Sequence, residues 1–317
     1  MLVRILLFAL LVSSSAHAAN FNTWLEEFKA EAAAQGISQN IIDNALTGLT
    51  PIPKVIELDR KQPEGRLTFA QYRQNVVNPQ RIQKGSKLYA QHKDILTEIG
   101  KKYGVQPQYI VALWGIETNF GGYTGGFSIT RALATLAHDG RRSDFFRTEL
   151  INALKIQDQG HITNDSMKGS WAGAMGQNQF MPSSFLNFAV DHNNDGKKDI
   201  WSTLPDIFAS TANYLSRSGW HGGERWGRAV KIPSSISEDL ISTKIEKPLS
   251  FWAQQGVTTM GGAAIPAIDG MQASLIQPDG AGSQAFLVYN NFKTLLKWNR
   301  STYFATSVGL LADAIAQ

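Results

Sequence analysis

The chain has 317 residues and no cysteine. That excludes a thiol nucleophile, and it excludes disulfide staples, so stability must come from the core. It also excludes an N-terminal lipid anchor, which requires a cysteine directly after a leader. An excess of one charge is lacking as well. The 30 basic and 26 acidic residues leave +4 at pH 7, with no dense basic run, so nucleic acid is not an expected partner. No stretch is long and apolar enough to span a bilayer, which takes about 20 residues. The sequence has no G-x-S-x-G elbow, no H-E-x-x-H and no P-loop. Beyond residue 18 its histidines (His92, His138, His161, His192, His221) are scattered without metal-ligand spacing.

What is present begins with an export signal. Arg4 precedes an apolar run from Ile5 to Val12; Ser13 to Ser15 follow, then Ala16-His17-Ala18, an A-x-A cleavage pattern. Residues 1–18 therefore read as a leader that is removed, leaving a periplasmic protein with neither a membrane span nor a lipid anchor. The remainder, with abundant apolar residues and 8 Trp in the whole chain, can bury a substantial core as one to three domains. A monomer is expected. The mild positive charge suits an anionic polymer.

Along the chain, Phe21, Trp24, Leu25 and Phe28 share one face of a helix over residues 20–35 that Gly36 ends. Ser38 is placed to cap a second helix, and Pro51 and Pro53 open a polar extended segment to about Gly65. Helical patterning resumes from Leu88 to Ile99 and dominates from Gln108 to Leu215, broken by glycine-rich turns. Residues 220–300 carry short β-branched runs such as Ala285 to Tyr289, and Tyr303 to Ala316 is helical again. The fold class is α+β, mainly α. The expected organisation is an N-terminal helical region over 19–107 with 303–317 packing nearby, a helical core over 108–219, and a small β-rich domain over 220–302.

Three segments carry chemistry. In Tyr109 to Gly121, Ile110, Leu113, Trp114 and Glu117 fall at i, i+3, i+4 and i+7. A carboxylate thus lies on the apolar stripe of its helix, where burial raises its pKa toward what a general acid needs. The alternative is a helix-end Glu satisfied by backbone or an Arg. In Ser170 to Ser184, Gln177, Asn178 and Gln179 stand beside Trp171, Phe180 and Met181, and amides next to aromatics suit sugars; the plain reading is a loop that starts a helix. In Asp191 to Asp199, oxygen side chains at positions 1, 3, 5 and 9 with Gly196 at 6 match the start of an EF-hand loop. Position 12 is Ser202 rather than Glu, and Asp206 is the nearest replacement carboxylate. The alternative is a solvated turn.

Taken together, Gly115-Ile-Glu117-Thr-Asn-Phe-Gly121, Ala132 to Leu136 with Arg141-Arg142, and Gly173 to Ser184 resemble the lytic murein transglycosylase B family. Ile200-Trp201, Ala212 to Tyr214, Tyr289-Asn-Asn and Trp298 to Tyr303 extend the resemblance over nearly the whole chain. It implies a lysozyme-like helical core with a small β-rich domain. It implies Glu117 as the catalytic residue, Ser170, Gln179, Tyr214, Asn299 and Tyr303 along a glycan groove, and Asp191, Asn193, Asp195, Asp199 and Asp206 around a structural calcium ion. No cofactor is expected for the chemistry itself. The implied substrate is peptidoglycan, cleaved between N-acetylmuramic acid and N-acetylglucosamine with a 1,6-anhydromuramic end as product. Lys197 and Ser202 depart from the metal-loop pattern. The competing functions are a hydrolytic muramidase and a non-catalytic peptidoglycan binder.

Overall fold

The computed structural model describes residues 12–61, 67–266 and 268–317, with only the backbone described for residues 12–20. Most of the expected leader, residues 1–11, therefore lies outside the described residues. Helix α1 (Val12–Ala34) is followed by α2 (Gln39–Leu46) and α3 (Pro53–Arg60). Next come α4 (Phe69–Val76), α5 (Pro79–Gln91), α6 (Lys93–Tyr103) and α7 (Pro107–Thr118). Strand β1 (Phe127–Ser128), α8 (Ile129–His138), α9 (Ser143–Asp158), β2 (Lys168–Gly169), α10 (Pro182–Phe188) and α11 (Leu204–Arg217) continue the chain. The last third holds β3 (Gly227–Lys231), β4 (Lys247–Pro248), α12 (Leu249–Gln254), β5 (Thr258–Thr259), β6 (Gln272–Ile276) and β7 (Ala285–Val288), then α13 (Asn290–Trp298) and α14 (Thr302–Ile315). The molecule is mainly helical with a small antiparallel sheet.

Three local expectations change. The segment after Pro51 and Pro53 is helical rather than extended, because Pro53 occupies the first helical position of α3, where a missing N–H costs nothing. Ser38 stands at the start of α2 but makes no capping bond there; its hydroxyl donates to Asp158 instead. The β-rich stretch ends before residue 290, since Asn290–Trp298 forms α13.

The chain divides into two compact units that interleave along the sequence. Met1–Gln62 with Tyr123–Thr203 forms one, and Pro63–Gly122 with Leu204–Gln317 forms the other. In the first, α8 packs on α9 and α2, and β1 pairs antiparallel with β2 through Phe127 opposite Gly169. In the second, α7 is enclosed by α5, α11 and α14.

The sheet of the second unit has strand order β4-β6-β7-β3-β5, antiparallel throughout. The period of two along β7 explains how it serves two cores. Ala285 and Leu287 join Val230, Leu249, Trp252 and Leu275 in the core of the sheet domain. Phe286 points the other way, onto Trp226 at 5.9 Å and Phe69 at 6.0 Å between ring centroids. Trp226 is fully buried, with its indole N–H on Asp313 of α14 at 3.0 Å. Gly309 of α14 lets this ring lie flat on the helix: a Cβ there would stand 2.1 Å from the indole.

Gly309→Ala tests this packing. Alanine favours a helix by about 1 kcal/mol over glycine, yet overpacking a closed site costs roughly 1–3 kcal/mol, and a clash with a fully buried indole lies at the upper end. A lower melting temperature is expected by calorimetry. An unchanged or higher one would show that Trp226 does not lie on Gly309.

Candidate active site

Glu117 lies in the last turn of α7. The expected apolar stripe is a full sleeve: every residue from Tyr109 to Gly115 is buried. A helix apolar on all sides is a core helix, and this one reaches a surface at its two ends, through Pro107 and Gln108 at the start and the final turn at the other. Ile116 and Glu117 are half-buried there. The turn closes abruptly, with Asn119 (φ 51°), Phe120 (φ 59°) and Gly121 (φ 74°) all left-handed. Bonds from Asn119 N to Gly115 O and from Phe120 N to Trp114 O satisfy the helix end. Phe120 folds back edge-on against Trp114, with centroids 5.4 Å apart.

The carboxylate of Glu117 accepts a hydrogen bond from the indole Nε1 of Trp298, at 2.7 Å. Burial pushes its pKa up to about 7, and the Trp298 bond, which favours the anion, opposes that rise. Its place at the helix C-terminus, the negative end of the macrodipole, works in the same direction as burial. Trp298 is itself held edge-on by Tyr214 of α11, centroids 4.7 Å apart, and Tyr214 donates its hydroxyl proton to Lys297 O at 2.8 Å.

A second group of rings belongs to the same unit. Tyr72 of α4 feels the charge of Glu117, which together with burial raises its phenol pKa. Its ring is 6.0 Å from that of Tyr303, which packs on Phe69 at 5.5 Å. Tyr303 donates to Asp279 Oδ1 at 2.7 Å, and Asp279 also accepts the backbone N–H groups of Phe69 and Ala70. Asn299 is exposed, and its Oδ1 accepts from Ser301 N at 3.0 Å ahead of α14. So Glu117, Tyr214, Asn299 and Tyr303 share one unit. Sequence reasoning missed Trp298, Tyr72 and Asp279. Trp298 adjoins the singled-out Asn299 and was within reach; nothing in the polar run around Tyr72 or the turn around Asp279 signals a contact.

Ser170 and Gln179 belong to the other unit. Ser170 Oγ accepts from Ala174 N at 3.0 Å, and Ser170 N donates to Ala174 O at 2.8 Å, closing a tight loop. Gln179 sits at φ 52°. Its side-chain nitrogen donates to Gly176 O at 2.9 Å and Thr124 O at 3.1 Å, so both N–H groups are committed and its carbonyl oxygen is the part that remains for a ligand. Gly176 (φ 63°) permits this turn, since a Cβ there would meet Ile200 O at 2.6 Å.

The loop after residue 190 also lies in that unit. Asp191 accepts from Asp195 N and Gly196 N, Asn193 Nδ2 donates to Asp195, and Asp195 accepts from Lys197 N. Asp199 turns to the following residues, accepting from Trp201 N, Ser202 N and Thr203 Oγ1. Asp206 is fully buried in the first turn of α11, in the second unit. Among the described residues no three acidic or imidazole groups converge as a metal cluster. The donor set that fits a hard cation is two carboxylates and an amide oxygen, from Asp191, Asp195 and Asn193.

Residues 20–313 match the family model described as the transglycosylase SLT domain. The chain belongs to this family. It is 34% identical over 264 residues to the membrane-bound lytic murein transglycosylase B of Escherichia coli, covering 81% of this chain and 70% of that protein. Among solved structures it resembles SltB3 of Pseudomonas aeruginosa in complex with NAG-anhNAM-pentapeptide (TM-score 0.91, 43% identity, 93% of this chain and 79% of that one). It also resembles the Escherichia coli lytic transglycosylase Slt35 in complex with bulgecin A (TM-score 0.80, 30% identity, 92% of each chain) and the same enzyme in complex with calcium (0.79, 30%, 92% of each). The transglycosylase fold is thus the lysozyme-like one expected from the sequence, and the chain is an enzyme of the lytic transglycosylase class. No helix among the described residues is long and apolar enough to cross a membrane.

The raised pKa of Glu117 has a consequence for stability. An acid whose folded pKa lies above its ordinary 4.5 is neutral in both states at low pH. As pH rises from there to about 7 the unfolded chain ionises first, so folding loses free energy, and the loss is complete above 7. Glu117→Gln, which cannot ionise, should therefore be more stable than the wild type at pH 8, on the order of 1–3 kcal/mol, with the gap closing toward pH 4. Parallel denaturation curves at both pH values would contradict an unfavourable buried charge.

Proposed function

We propose that this transglycosylase is a periplasmic, monomeric enzyme that cleaves the β-1,4 bond between N-acetylmuramic acid and N-acetylglucosamine in peptidoglycan, leaving a 1,6-anhydromuramic end. The observation that carries the reading is Glu117. Among the described residues it is the one carboxyl with a pKa raised to about 7, and no second carboxylate figures among the causes of that shift. Most glycosidases pair two carboxylates; a lone one points to a substrate that assists its own cleavage.

In this mechanism protonated Glu117 gives its proton to the glycosidic oxygen, and the bond to muramic C1 breaks. The acetamido oxygen of the muramic residue stabilises the developing cation from within the substrate. Glu117, now a carboxylate steadied by the Trp298 N–H, takes the proton from the C6 hydroxyl as that oxygen closes on C1. The proton balance returns Glu117 to its starting form, and no water is consumed. A pKa near 7 suits a group that must give a proton and take one back in the same turnover. The relative SltB3 is solved with an anhydromuramyl pentapeptide, which supports this product.

Ser170, Gln179, Tyr214, Asn299 and Tyr303 are proposed to line the strand. Their roles differ by what the fold leaves them. Gln179 offers a fixed carbonyl oxygen to an acetamido N–H, whereas Tyr214 and Tyr303, with hydroxyl protons committed elsewhere, offer ring faces and lone pairs. Asp191, Asn193 and Asp195 would hold a structural calcium, with Asp199 and Asp206 further candidates; the Slt35 structure with calcium supports such an ion. The chemistry does not route through it.

Glu117→Gln keeps shape and the Trp298 contact but cannot cycle a proton. Purified variant should clear peptidoglycan suspensions roughly 10²–10⁴-fold more slowly while still pelleting with them. Clearance at the wild-type rate would sink the assignment.

Calcium at millimolar concentration should raise the melting temperature through binding to the native state alone. Asp191→Ala combined with Asp195→Ala should erase the shift. A wild-type protein whose melting is indifferent to calcium would leave the loop as a plain turn.

A further inference from the structure

Near the end of α7 a cavity of about 390 Å³ is lined by Asn78, Gln80, Arg81, Lys84 and Asn119. All five belong to the second unit. Two of them are cations for which the hydrogen bonds and ion pairs among the described residues include no carboxylate partner. Arg81 is half-buried and donates through Nη1 to the carbonyls of Val76 (2.7 Å) and Asn75 (3.3 Å). Its Nε is closed off from solvent with no hydrogen-bond partner among the described residues, and the one titratable group that acts on it is the phenol of Tyr72. Lys84 donates to Asn119 O at 2.9 Å and lies 5.3 Å from the centre of the Phe120 ring. A carbonyl and a ring position that ammonium without cancelling its charge.

Half-buried Arg81 and exposed Lys84, the latter tethered to Asn119 O, present two cations to a concave space and attract an anion, the more so at Arg81, where partial burial strengthens the field that water would otherwise screen. The cavity is also close in chain and in charge to Glu117. Asn119 is two residues beyond it, and Tyr72 feels both Glu117 and Arg81. A group carried by the sugar beside Glu117 is therefore the first candidate for such an anion. In peptidoglycan the muramic residue, and not N-acetylglucosamine, carries acidic groups. They are the carboxylates of its stem peptide, or the lactyl carboxylate itself where the peptide has been removed.

We propose that Arg81 and Lys84 form an anion subsite that receives a carboxylate borne by the muramic residue, an inference that rests on the peptidoglycan reading above. The subsite fixes which sugar lies beside Glu117 and favours strands that carry the acid. It acts on binding, by charge-assisted hydrogen bonds, and takes no part in proton transfer.

The probe is N-acetylmuramyl-L-alanyl-D-glutamate, titrated into the wild type and Lys84→Gln and followed by NMR shifts of α5 and α7. Arg81→Lys is the second variant, since Arg81 also braces residues 75 and 76; its melting curve reports whether it folds. Loss of about tenfold in affinity for each variant is expected, the scale of one charge-assisted bond. Three comparison ligands locate the source: N-acetylmuramic acid with a free lactyl carboxylate, the same acid amidated, and the muramyl dipeptide with its carboxylates amidated. Loss of the wild-type advantage on amidation of either carboxylate supports the subsite and tells which acid it reads. Equal affinity of wild type and Lys84→Gln for the charged probe, or an equal deficit on the amidated ligands, overturns it. Because this titration needs no turnover, a wild-type protein that binds the probe through Lys84 but leaves peptidoglycan intact would fail the catalytic reading and not this one.

Discussion

Glu117 sits in the half-buried last turn of a helix whose middle is wholly dry, and much of the second unit follows from keeping it there. Seven consecutive residues of α7 are buried, which requires apolar partners on every side, and α5, α11 and α14 supply them. The helix must then stop within one turn of the carboxylate, or Glu117 would be carried into the core or out into water. Three left-handed residues in a row make that stop, at a cost of roughly 1–2 kcal/mol for each non-glycine, offset by the return of the Phe120 ring onto Trp114. The carboxyl is thereby dry enough for a pKa near 7, yet open enough to meet a substrate. The Trp298 N–H keeps the shift from going further, so that both protonation states stay accessible near neutral pH.

The two units supply different things. Around Glu117 large side chains set the environment: burial raises its pKa, the Trp298 N–H restrains the rise, and Tyr214 holds the Trp298 ring. Around Gln179 and Ser170 the polar contacts run to backbone. Gly176 allows a turn that commits both amide hydrogens of Gln179 to carbonyls, so what remains is one acceptor at a fixed position. A preorganised acceptor needs no reorganisation when it meets a ligand, which is where binding energy is otherwise lost. The 191–199 loop is likewise built from side chain to backbone bonds, with carboxylates already turned inward on N–H groups.

What the sequence made legible was the chemistry-bearing motifs and the alternation of helical and β-rich stretches. Glycines at turns and a single Glu at helical spacing from Leu113 and Trp114 were enough to single out residue 117. The reason given for its burial was incomplete: the spacing suggested a stripe, while the fold buries α7 on all faces, which periodicity cannot distinguish because an all-apolar helix has no polar side to contrast. The partner of Glu117 was missed for a related reason. Trp298 lies 181 residues away, and nothing local to an indole says whether its N–H will find a carboxylate or solvent. Proline misled at Pro53, where the same residue that ends helices begins one. Sequence reasoning singled out neither Arg81 nor Lys84, whose place around one cavity appears only in the fold.

In the proposed mechanism a single carboxyl near pH 7 acts as acid and then base because the nucleophile comes from the substrate. Digestion of peptidoglycan in water enriched in ¹⁸O tests it without assuming any residue's role. If the C6 hydroxyl attacks, the new muramic ends are anhydro forms, one water lighter than reducing ends, and carry no label. If water attacks, the ends are reducing and each carries one ¹⁸O at C1. Unlabelled anhydro ends are expected, and labelled reducing ends as the main product would show that water, not the C6 hydroxyl, attacks.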